Sequence, residues 1–177
     1  MYVINMKNFK TLILILFIFT LEFFVVKSTF ADVVIDDAVN YLKSKQDATG
    51  KITGGPFGDA SPWATIAFSA NGQDITSVKN PTNSLKDYLL NNAPTISSSA
   101  TEWEKWILAI TSSGFDPYDF EGVDYVSTLK SCIYYNNNQI GDIDSINDDW
   151  FGVLALISSG VSSSDLVLTN SVDYIIH

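Results

Sequence analysis

The sequence predicts an all-α protein built from repeated helical hairpins, about three and a half of them. Three observations predict it. First, a glycine-terminated helix recurs as Trp63-Ala-Thr-Ile-Ala67-Phe-Ser-Ala-Asn71-Gly72, Trp106-Ile-Leu-Ala109-Ile-Thr-Ser-Ser113-Gly114 and Trp150-Phe-Gly-Val-Leu-Ala155-Leu-Ile-Ser-Ser159-Gly160. Each copy has alanine five positions before its glycine, and the glycines are 42 and then 46 residues apart. Second, a more polar helical segment precedes each copy. Third, no segment alternates polar and apolar residues as a half-buried strand must. A single hairpin of this kind cannot bury its apolar face alone and has to stack on its neighbours.

The elements follow in order. Residues 1–31 read as an export signal: Lys7 and Lys10 precede an apolar run from Leu12 to Leu21, and Thr29-Phe30-Ala31 offers a cleavage site before Asp32. Glu22 cuts the run to about half of the ~20 residues a membrane span needs, which favours cleavage over a retained anchor. The expected domain is residues 32–177. It starts with a helix around Asp36–Ser44, whose Ile35, Ala38, Val39 and Leu42 share a face. The first glycine-terminated helix, expected over 62–71, has Ser61 as cap and Pro62 at its first position. A second preceding helix covers Ser84–Leu90 and stops at Asn91-Asn92 and Pro94.

The next glycine-terminated helix, 101–113, is introduced by Ser99 with Glu102 or Thr101 with Glu104 as a capping box. A third preceding helix is expected from about Gly122 to Tyr135, with Tyr125, Val126, Leu129, Cys132 and Ile133 at helical spacing. Asn147 or Asp148 would cap the last copy, 148–159, with Asp149 near the positive end of its dipole. A fourth preceding helix begins at Ser171-Val172-Asp173-Tyr174-Ile175-Ile176. With no helix after it, Val172, Ile175 and Ile176 are expected either to meet chain beyond His177 or to associate with another copy as a homodimer through this C-terminal edge.

Charge narrows the partners. The chain has ten lysines, no arginine and twenty Asp and Glu, for a net charge of −10. Nucleic acid and anionic lipid both require clustered cations, so no nucleic-acid partner and no membrane partner after signal cleavage are expected. Cys132 is the only cysteine, which excludes an intramolecular disulfide, and a small buried hydrophobe is its expected role.

The stretch Tyr41-Leu42-Lys-Ser-Lys-Gln46-Asp-Ala-Thr-Gly50-Lys-Ile52 resembles the QW motif of the terpenoid cyclase and protein prenyltransferase superfamily, with Ile52 where that motif has tryptophan. The following Gly54-Gly55-Pro56-Phe57-Gly58 and Asp59-Ala60-Ser61-Pro62-Trp63-Ala64 are similar to prenyltransferase-type repeats of secreted bacterial and archaeal proteins. The pattern covers Asp36 to Ser159, and the first repeat carries its specific residues. The resemblance implies an α/α toroid, here partial, with the glycine-terminated helices inside, the Tyr-Leu helices outside and an antiparallel, right-handed hairpin stack.

Catalytic candidates are sparse. Squalene-type cyclases of this family use an Asp-x-Asp-Asp acid, and Asp142-Ile143-Asp144-Ser145 departs from it at the last place. Asp142, Asp144, Asp148 and Asp149 also invite a calcium reading, but their spacing departs from an EF-hand loop. Zinc would need ligands beyond Cys132 and His177, and with that one histidine no Ser-His or Cys-His nucleophile pair forms. No catalytic residue, metal or cofactor is therefore assigned.

The best ligand-facing candidates are Trp63, Trp103, Trp106 and Trp150 at the starts of the repeated helices, with Asp59, Glu102 and Asp149 nearby in sequence. An aromatic-lined mouth of this kind suits an apolar small molecule, a sugar or a protein partner. The reading is a secreted or cell-surface, non-catalytic toroid module that binds a ligand or protein. The alternative is a terpenoid-cyclase-like or prenyltransferase-like enzyme, or the N-terminal piece of one.

Overall fold

The computed structural model of the protein describes residues 33–54, 59–135 and 138–177, and for 132–135 the backbone only. The export signal expected over 1–31, the Gly55–Gly58 part of the glycine-rich stretch and the side chain of Cys132 lie outside the described residues. The chain divides into two compact units, Met1–Tyr41 and Leu42–His177. In the first unit residues 33–41 are helical, the start of a helix α1 that ends at residue 44. Of its expected apolar face, Val39 is buried whereas Ile35 and Ala38 are exposed.

The described residues of the second unit are mostly helical. Their order is α2 (Ser61–Ala70), α3 (Leu85–Asn91), α4 (Ala100–Ser112), α5 (Tyr125–Thr128), a π-type turn Leu129–Ile133, β1 (Tyr134–Tyr135), β2 (Gln139–Ile140), α6 (Ile146–Ser158) and α7 (Leu166–Ile176). The three glycine-terminated helices form where their repeat places them. Gly72, Gly114 and Gly160 follow α2, α4 and α6 with φ of 68°, 77° and 78°, the left-handed conformation that closes a helix.

Several local expectations change. Ala60, not Ser61, is the N-cap of α2, while Pro62 sits in its first turn as expected. Ser61 is instead buried and its hydroxyl accepts the Ile52 N–H at 3.0 Å. Ser99 is the N-cap of α4 but its side chain makes no capping bond, so neither expected capping box forms there. A complete box forms one helix earlier: Ser84 Oγ accepts the Asp87 N–H while the Asp87 carboxylate accepts the Ser84 N–H. The helix expected over 122–135 shrinks to α5 and the π-type turn, because β1 takes its last residues into an antiparallel pair with β2. Finally, α6 starts at Ile146 with Ser145 as N-cap, so Asn147 and Asp148 lie inside the helix and do not cap it, while Asp149 stands in its first turn, near the positive end of the dipole, as expected.

Packing joins the repeated helices to one another. Helix α4 packs on α2 and on α6, and α6 packs on α7. Ser69 near the end of α2 meets Ser113 at the end of α4, oxygen to oxygen at 2.9 Å. Thr101 at the start of α4 donates to Asp148 Oδ1 at the start of α6, 2.6 Å. Trp63 and Phe151, near the starts of α2 and α6, meet edge to face with centroids 5.5 Å apart. Start meets start and end meets end, so α2, α4 and α6 run in the same direction. The core between them and the preceding elements is built from Phe68, Leu85, Leu89, Ile107, Ile110, Val126, Leu129 and Leu156.

The QW-like segment is a structural lock. Gln46 is buried, and its amide donates to Gly50 O and to Val78 O, both at 3.0 Å. Gln46 also bridges to Ile52, which is buried where the motif has tryptophan. Gly50 has φ +89°, and a Cβ there would lie 2.3 Å from Ser84 O. Only glycine fits both that conformation and that approach.

Candidate functional site

The four tryptophans separate into two pairs. Trp103 and Trp106 are core residues, with Nε1 donating to Thr95 O at 3.2 Å and to Leu89 O at 3.0 Å. Trp103 also tilts against Tyr125, centroids 5.7 Å apart. Trp63 and Trp150 are exposed, the first against Phe151 and the second on the outside of α6. Asp59 accepts the Ser61 N–H at 2.9 Å and the Tyr88 hydroxyl at 2.5 Å. Burial, then this carboxylate, raises the Tyr88 pKa. Glu102 pairs with Lys105 one turn on, at 2.5 Å. The expected aromatic mouth is therefore divided between core and surface.

The fully buried member of the expected set, Asp149, belongs to a group of three carboxylates where α4 meets α6. Asp149 accepts the Ile140 N–H at 2.9 Å and the Gln139 amide at 3.4 Å. Asp148 accepts the Thr101 hydroxyl and, at 3.0 Å, the Asp142 N–H. Glu104 is the third, 0% exposed, and neither of its oxygens has a hydrogen-bond partner among the described residues. Burial, and after it the charges of Asp148 and Asp149, push its pKa up to about 9. Asp149 is also raised, by burial, with the Ile140 and Gln139 hydrogen bonds opposing. Glu104 thus holds its proton at neutral pH.

Sequence reasoning placed Glu104 in a cap and missed this role. Its register carried the signal, because Glu104 lies among Trp103, Trp106 and Ile107 in the middle of a core helix. A neutral buried acid is the ingredient a proton-transfer enzyme needs, but a general acid must come within hydrogen-bond reach of its substrate. Glu104 has no exposed surface through which to do so. The Asp142 and Asp144 pair is exposed, and Asp142 Oδ1 closes a local turn by accepting the Asp144 N–H at 3.0 Å. Among the described residues no group of three or more His, Cys, Asp or Glu is arranged to hold a metal ion.

The remaining feature is an open helix face. Ile146, Trp150, Leu154 and Ile157 recur every three or four residues along α6, and they are 46%, 55%, 53% and 56% exposed. That spacing puts all four on one stripe. Among the described residues no helix is long and apolar enough to cross a membrane. No family model, curated protein or solved structure matches the chain.

Proposed function

We propose that this chain is a non-catalytic module of α/α toroid type, secreted or held at the cell surface, that binds a protein partner through the open face of α6. The observation that carries the reading is the stripe Ile146, Trp150, Leu154 and Ile157. Four large apolar side chains left in water on one helix forfeit roughly 1.5–3 kcal/mol each relative to burial, a cost a partner's surface would remove. Tryptophan at the centre of such a patch is a common anchor of protein interfaces. The toroid reading rests on the three glycine-terminated helices and on the Gln46–Gly50 lock. The non-catalytic reading rests on Glu104, whose retained proton has no path to a substrate.

Two measurements test it. A photo-reactive benzoylphenylalanine at position 150 is expected to cross-link a protein under native conditions, with Leu154→Lys suppressing the product and the same probe at exposed Asp116 giving none. Purified chain is expected to leave squalene and prenyl diphosphates unconverted. Absence of any cross-link would remove the binding reading. Turnover abolished by Glu104→Gln would replace it with the enzyme alternative.

A further inference from the structure

Glu104 stands at a seam inside the second unit. On one side α4 packs against α2 and α5, over a core that includes Phe68, Leu89, Ile107 and Val126. On the other side α6 packs against β2 and α7, and α7 against β2. The carboxylates opposite Glu104 are bound into that second side. Asp149 accepts the Ile140 N–H of β2, and Asp148 accepts the Asp142 N–H. From α4 the Thr101 hydroxyl reaches across to Asp148. The seam is tight. A Cβ on Gly152 would lie 3.3 Å from Glu104 Oε1 and 2.5 Å from Ile140 Cδ1, so the α6 backbone closely covers the carboxyl, and Glu104 and Asp149 are both 0% exposed.

Among the described residues no free cation faces these acids. Helix α2 carries no ionisable side chain, and α5 only Tyr125, which packs on Trp103. In α3 Lys86 pairs with Glu121, Asp87 closes its own capping box and Tyr88 donates to Asp59. Lys105 of α4 pairs with Glu102, and Lys130 of the π-type turn with Asp165. Strand β2 is Gln139 and Ile140, and α7 sets the neutral Ser171 beside Asp149 while its Asp173 and Tyr174 stay exposed. Three carboxyls in one dry seam cannot all be ionised, so the unpartnered Glu104 keeps its proton while the seam is closed. In water, away from its neighbours, the same carboxyl ionises near 4.5. Separation of the two sides therefore releases a proton, and rising pH favours it.

We propose that this seam is a proton-operated latch: protonated Glu104 lets α6 close on α4, and loss of the proton lets β2, α6 and α7 come away from α4 together while α2, α3, α4 and α5 keep their own core. Acid surroundings close the latch, and neutral or alkaline ones loosen it. Because each opening releases one proton, the open fraction grows about tenfold per pH unit between 4.5 and about 9.

Thiol reactivity of the full chain, in a Cys132→Ser background, tests this. Ala155→Cys puts a small thiol on the buried stripe of α6, three residues past Gly152. Ala109→Cys puts one on the buried stripe of α4, one turn before the Ser113 that meets α2. Each labelling rate is divided by that of a short cysteine peptide at the same pH, and circular dichroism confirms that each variant is folded. Protection at position 155 is expected to fall about a hundredfold between pH 6 and pH 8, and protection at position 109 far less. Glu104→Gln and the apolar Glu104→Met are each expected to flatten the profile at 155. Constant protection at 155 with Glu104 in place overturns the proposal. So does a parallel loss at both positions, since the whole domain would then be unfolding as one. A steep profile that survives both Glu104 variants overturns it too, and would move the proton to Asp149.

Discussion

Replacing Glu104 by glutamine isolates the energetic consequence of the buried carboxylates. Unfolded, the Glu104 carboxyl loses its proton near its ordinary 4.5; folded, it keeps that proton up to about 9. Between those values the folded state binds the extra proton, so stability must fall as pH rises through the window. At pH 7 the 2.5 units above 4.5 correspond to about 3 kcal/mol lost relative to acid pH, at about 1.4 kcal/mol per unit. That is a large part of the ~5–15 kcal/mol by which a domain is stable. Glutamine keeps the shape, carries no charge and offers its amide to the neighbouring carboxylates.

Urea unfolding followed by tryptophan fluorescence at pH 5, 7 and 8.5 is the assay. The wild type is expected to weaken steadily across the series, while Glu104→Gln weakens much less. Near pH 7 and above, the variant's midpoint should exceed the wild type's by at least about 1 M urea, given slopes of about 1–3 kcal/mol per molar. Asp149 is raised by the same burial, so its contribution has the same sign as that of Glu104. The lowered carboxylates Asp87 and Asp165 act only below their ordinary 3.8, outside this range. Parallel pH profiles for variant and wild type, or a wild type that gains stability toward pH 8.5, would refute the reasoning.

Three further outcomes are expected. Gly50→Ala should destabilise by about 3 kcal/mol, since it forces a side chain into a left-handed backbone and against Ser84 O, and thermal unfolding should show it as a lowered Tm. Gln46→Leu should cost about 1–3 kcal/mol in chemical denaturation by leaving the Gly50 carbonyl without its donor and the Val78 carbonyl with the Leu85 N–H alone. Ser84→Ala should cost about 1 kcal/mol by opening the capping box of α3, and faster amide exchange in Lys86 and Asp87 should accompany the loss.

The glycine-terminated helices were legible in the sequence because their causes are local. Periodic apolar residues, Pro62 in a first turn and a left-handed glycine after the last turn act within one helix, and α2, α4 and α6 appear within a few residues of the expected spans. The third preceding helix was not legible, because pairing of Tyr134 and Tyr135 with β2 competes with helix continuation and depends on residues further along the chain. The tryptophan set shows the same division. All four residues look alike in sequence, yet Trp103 and Trp106 find core partners while Trp63 and Trp150 remain exposed.

By itself, then, the sequence determined helix type, the repeat register, the acidic balance and the need for glycine at helix ends, since each depends on neighbours along the chain. Tertiary structure alone decided that Glu104 is sealed at an interface with its proton, that Gln46 ties its own loop to the distant Val78 carbonyl and that Ile146, Trp150, Leu154 and Ile157 of α6 are exposed. Those outcomes depend on which helix lies beside which. Burial, dielectric and unsatisfied surface are properties of that assembled neighbourhood, and no segment of the chain carries them alone.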